Sequence, residues 1–83
     1  MTNGKLMVYT TFIMKTLRLD ATKIRYELDR LGKNPSWLAA EIGTSRQRVH
    51  QILKDGKPIF YAEKFGAIFD LSPDFLLKTE EEM

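Results

Sequence analysis

Apolar residues recur at helical spacing in successive blocks along the chain, and each block is closed by glycine or proline. Ile24, Leu28 and Leu31 fall at i, i+4 and i+7, the narrow stripe of one helix face. Asp20 stands in front as an N-cap and Gly32 behind as a stop, which predicts a helix over residues 21–31. Lys23, Arg25, Glu27, Asp29 and Arg30 take its solvated sides. Asn34 then caps a second helix with Pro35 at its first position, where a missing N–H is not needed. Trp37, Leu38 and Ile42 are its apolar contacts, and Ala39 is small where a neighbouring helix must come close. Gly43 ends this helix and permits the positive φ of a sharp turn. Ser45 or Thr44 caps a third helix over residues 46–54, with Val49, Ile52 and Leu53 toward the core. Arg46, Gln47, His50 and Gln51 point the other way.

Asp55, Gly56, Lys57 and Pro58 break the pattern. A fourth helix is predicted over residues 59–69, burying Phe60, Phe65, Ile68 and Phe69. Ser72 and Pro73 repeat the cap-and-proline start for a short fifth helix over residues 74–78, with Phe75, Leu76 and Leu77 closing the core. Glu80, Glu81 and Glu82 read as a solvated tail.

Residues 5–19 carry the least decided pattern. Five of them are β-branched and no cap precedes them, which favours extended structure. Leu6, Tyr9, Ile13 and Leu17 would also fit one face of a helix. A strand here must find a partner, either the same segment of a second subunit or the helical core. A start at Met14 would remove the first thirteen residues altogether. The organisation expected is an N-terminal extension over 1–19 (a strand or dimer arm), a helical domain over 20–78 and an acidic tail over 79–83.

Eighty-three residues suit one domain with a modest core. The absence of cysteine excludes disulfides and thiolate metal sites, and the single histidine has no ligand cluster around it, so no metal and no cofactor is expected. The longest mainly apolar run, residues 6–14, is far short of the ~20 residues that cross a bilayer. No signal-peptide pattern is evident, so a cytoplasmic protein with no membrane partner is expected. Net charge is only +2, but its distribution is uneven: +3 over residues 1–19, +1 over 20–33, +2 over 34–57 and −4 over 58–83. A protein that meets phosphate through the earlier part of its chain would carry such a gradient.

The sharpest signal is the arrangement over residues 34–53. Two steeply crossed helices need a small residue at the crossing, a glycine at the turn and apolar residues pinning both to a third helix. Ala39 lies four residues before Gly43, with Leu38 and Ile42 beside them, and Val49 and Ile52 follow at six and nine residues. Leu38-Ala39-x-x-Ile42-Gly43-x-Ser45, Val49-x-x-Ile52 and Asp70-Leu71-Ser72-Pro73-Asp74-Phe75-Leu76-Leu77 together resemble the phage-repressor and Cro-like (XRE) helix-turn-helix family over residues 25–77. The resemblance implies an all-α, compact five-helix, lambda-repressor-like bundle, preceded here by the extended N-terminal segment. It departs from the family at Pro35. Many members have a glutamine there that touches phosphate, and such a contact would be lost or pass to Asn34 or Ser36.

The function implied is a sequence-specific transcriptional regulator, a repressor or activator of bacterial or phage origin, acting as a homodimer on double-stranded DNA. Its third helix would enter the major groove N-terminus first. Arg46 would then grip guanine, Gln47 or Gln51 adenine, and His50 would lie on the same face. Asn34, Ser36, Ser45, Arg48, Lys54 and Lys57 are the candidates for phosphate. Plainer readings accompany these residues. The Arg46–Gln51 face could be an ordinary solvated surface, Trp37 a packing residue at the core boundary, and Phe60 and Tyr61 core residues, with a dimer contact as the alternative for either. No nucleophile–base arrangement is present and an enzyme is not expected. The alternative function is a protein-interaction module, such as an antitoxin-like partner, that binds another protein through its N-terminal segment.

Overall fold

Three of the four helices start where a short polar side chain replaces a missing backbone partner. In the computed structural model, which describes residues 14–82, strand β1 (Met14–Leu19) leads into helix α1 (Ala21–Arg30) through Asp20. Asp20 Oδ1 accepts from the Lys23 N–H at 3.2 Å. Helix α2 (Pro35–Ile42) starts on Asn34, whose Oδ1 accepts from the Trp37 N–H at 2.9 Å. Helix α3 (Arg46–Asp55) starts on Ser45, whose hydroxyl oxygen accepts from the Arg48 N–H at 3.1 Å. Helix α4 (Tyr61–Phe69) has no side-chain cap. The amides of Tyr61, Ala62 and Glu63 instead bond to the carbonyls of Pro58, Ile59 and Phe60, three residues back.

The chain is not the five-helix all-α bundle expected from its pattern. It has four α-helices and a small two-stranded antiparallel sheet. Where a fifth helix was predicted, Pro73–Leu76 makes a single 3-10 turn and the backbone then becomes extended at Leu77. Strand β2 (Leu77–Glu82) follows and pairs with β1, setting Leu19 opposite Leu77, Leu17 opposite Thr79 and Lys15 opposite Glu81. The physical reason is the backbone of β1: its N–H and C=O groups need partners, and the last residues supply them. The glutamates read as a solvated tail are therefore strand residues as far as Glu82. The part of the extended segment before Met14 lies outside the described residues.

One core joins all these elements. Leu19, Ile24, Leu28, Leu38, Val49, Ile52, Phe65 and Leu76 are almost completely buried. Leu19 brings β1 into this core rather than leaving it as an appendage. Its N–H donates to the Gly56 carbonyl at 2.8 Å, and the Asp20 N–H donates to the Leu76 carbonyl at 2.8 Å. The end of β1 is thus fastened both to the end of α3 and to the 3-10 turn.

Three other expectations are corrected. Glu27, expected on a wet face, is only 5% exposed, and its Oε1 takes the Arg30 guanidinium at 2.7 Å. Arg30 is thereby a tether for a buried carboxylate. Phe60, expected in the core, is 54% exposed, because α4 begins one residue after it. Phe75 is 46% exposed, for the 3-10 turn points Leu76 inward and leaves Phe75 under the Lys23 ammonium, 4.6 Å from its ring centre.

Candidate nucleic-acid interface

The turn between α2 and α3 is built on backbone geometry. Gly43 has φ 75° and ψ 38°, the left-handed conformation that closes a helix without cost only for glycine. The Thr44 N–H bonds back to the Ala39 carbonyl at 2.8 Å, so the chain reverses within two residues and reaches the cap at Ser45. Ala39 is almost wholly buried at this junction, as a close helix crossing requires.

Packing then decides which side of α3 is free. Val49, Ile52 and Leu53 are buried, and Arg46, Gln47, Arg48, His50, Gln51 and Lys54 are all exposed. Arg46 and His50 are one turn apart, as are Gln47 and Gln51, so these four form a continuous polar strip on the solvent side. The strip begins in the first turn of α3, where the helix also presents unpaired amides.

The charges around the strip are uncommitted. Among the described residues, Arg46, Arg48, Lys54 and Lys57 have no ion-pair partner, in contrast to Arg30 with its glutamate. Lys57 is exposed just past the Gly56 cap. Ser45 and Asn34 are exposed too, but each uses its side-chain oxygen as a cap acceptor. What they retain for an anion is a donor, the serine hydroxyl hydrogen or the asparagine NH₂. Ser36 is exposed in the first turn of α2.

Two cations beyond those predicted lie near the start of α2. Arg25 and Lys33 line a cleft of about 250 Å³ with Leu28, Asp29, Asn34 and Pro35, where the end of α1 meets the start of α2. The Lys33 ammonium also lies 5.5 Å from the centre of the Trp37 ring. The only sequence signal for Lys33 was its place directly before the Asn34 cap. Arg25 gave none, since a polar residue on α1 reads as solvated face. Trp37 is partly buried and packs against the core.

Among the described residues no group of three or more His, Asp or Glu side chains could hold a metal ion. No helix among them is long and apolar enough to cross a membrane. The chain matches no family model, no curated protein and no solved structure.

Proposed function

We propose that the protein is a sequence-specific DNA-binding regulator of transcription that acts in the cytoplasm as a homodimer, with α3 inserted N-terminus first into the major groove. One observation carries this reading. An exposed strip of Arg46, Gln47, His50 and Gln51 lies on a helix whose opposite face is locked into the core and whose start is set by a left-handed glycine turn. A helix of ~10–12 Å diameter fits the ~12 Å width of the major groove. Arg46 reads guanine by two hydrogen bonds, and Gln47 or Gln51 reads adenine in the same manner. Arg48, Lys54 and Lys57 supply phosphate contacts, with the Ser45 hydroxyl and the start of α2 at Asn34 and Ser36 fixing the register.

The test is selection of bound sites from a random DNA library, followed by mobility shift with the selected site. Enrichment of a two-fold symmetric site containing guanine and adenine is the expected result. No enrichment at low salt would sink the reading. The exposed Ile59 and Phe60, on the segment between α3 and α4, favour a second reading as an antitoxin-like protein-interaction module. In that case the chain co-purifies with one protein and leaves DNA unshifted.

A further inference from the structure

Antiparallel strands alternate between residues whose backbone faces the partner and residues whose backbone faces away. In β1 the alternation is fixed at its end. The Asp20 N–H bonds toward the 3-10 turn that begins β2, whereas the Leu19 N–H bonds to Gly56 on the opposite side. Met14, Thr16 and Arg18 therefore face β2, and Lys15, Leu17 and Leu19 face the outer edge. Leu19 is satisfied there by Gly56. Among the described residues no bond reaches the outward backbone groups of Leu17, whose side chain is 42% exposed, and Lys15 stands on the same edge by parity. The same parity in β2 leaves Thr79 and Glu81 facing its own outer edge, since the Leu77 N–H is taken by the Asp74 carbonyl.

We propose that the outer edge of β1 pairs antiparallel with the same edge of a second copy of this chain, joining two sheets into one of four strands. Register selects the copy and the edge. A symmetric pairing that uses the outward groups of Lys15 and Leu17 puts Thr16 opposite Thr16, Lys15 opposite Leu17 and Arg18 opposite Met14. No like charges then stand directly opposite, and a threonine pair lies on the two-fold axis. The corresponding pairing of β2, through Thr79 and Glu81, puts Glu80 opposite Glu80 amid six glutamates. Charge blocks that edge, as it commonly blocks exposed strand edges. The β1 edge has no acidic residue. Gly56 occupies the row beside Leu19, so the ladder spans residues 14–18 and closes as a two-fold dimer instead of growing into a fibre. Four strands also make a sheet that two strands alone make poorly.

This inference concerns the dimer and stands apart from DNA recognition: a chain that dimerises without shifting DNA would keep the one and lose the other. The mass of the full chain is measured by light scattering over a dilution series, with amide exchange read at Leu17. Two variants accompany it. Leu17→Pro removes an N–H that the monomer does not use, a position where an edge strand tolerates proline. Thr16→Lys puts two ammonium groups on the axis, while within its own sheet it faces Glu80. The wild-type chain should have the mass of a dimer, with the Leu17 amide losing protection on dilution. Both variants should be monomers with unchanged helical circular dichroism. A wild-type monomer throughout the series overturns the proposal, as does a dimer that persists in both variants.

Discussion

At Gly43 an added Cβ would meet nothing within 4 Å, whereas at Gly66 it would lie 2.6 Å from the Leu71 carbonyl oxygen. The two glycines are therefore needed for different reasons. Gly43 holds a left-handed backbone, and Gly66 lets the chain after α4 fold back so that the Leu71 N–H reaches the Gly66 carbonyl at 2.8 Å. Gly43→Val should cost about 1–3 kcal/mol, all of it backbone strain, and Gly43→Asn much less, because asparagine tolerates this conformation. Thermal melts of the two variants give the comparison. Equal stability of Gly43→Val and the parent would remove the turn from the account of the fold. Gly66→Ala reverses the usual rule. A mid-helix glycine replaced by alanine ordinarily gains about 0.5–1 kcal/mol, but here the methyl group strikes a backbone oxygen that cannot swing aside. The variant should melt at a lower temperature than the parent.

On α3 the expected effects divide by position along the helix. Arg46→Ala or Gln47→Ala should weaken binding to the selected site by about 1–3 kcal/mol and relax the choice at one base pair. Lys54→Ala should weaken selected and unrelated DNA alike and flatten the salt dependence by about one unit. Titrations of each variant at several salt concentrations separate the two patterns, and identical behaviour would show that the reading face is misassigned. The elements themselves were readable to different degrees, and range of interaction explains the difference. The caps at Asp20, Asn34 and Ser45 act on an N–H three residues away, so the starts of α1, α2 and α3 were legible locally. The start of α4 was not, because main-chain bonds across residues 58–63 replace the missing side-chain cap and shift the helix past Phe60. Glu27 sat at a polar position of α1 and became buried only because Arg30, three residues on, supplies its counter-charge. Exposure of the strip from Arg46 to Gln51 follows from the burial of Val49 and Ile52, which their spacing predicted. The cleft with Arg25 and Lys33 depends on how α1 meets α2 in space, and spacing along one helix carries no record of that.

Strand β2 is the element that spacing could least reveal, and it bears on the whole molecule. Leu77-Lys78-Thr79-Glu80-Glu81-Glu82 is poor in residues that favour strands, and each residue's partner lies 58 to 68 positions earlier. The acidic end of the chain is thereby laid against β1, in a register that sets Lys15 opposite Glu81 and Arg18 opposite Lys78. The helices do not need this sheet to find their places, since Leu76 is already buried in the core before β2 begins. Ending the chain after Leu76 should therefore have a divided effect. The bonds from Leu19 to Gly56 and from Asp20 to Leu76 remain, and helical circular dichroism at low temperature should be nearly that of the full chain. The amides of Thr16 and Arg18, which face β2, should lose their protection from hydrogen exchange, while that of Leu19 keeps much of its own. The melting temperature should fall, because β1 then loses its partner strand and is left with its contacts to the core at Leu19 and to the end of α3 through Arg18. Retained protection at Thr16 and Arg18, with an unaltered melt, would mean that β2 contributes nothing to the stability of the fold. Loss of the helices themselves would mean instead that the sheet is the frame on which α1, α3 and the 3-10 turn are assembled.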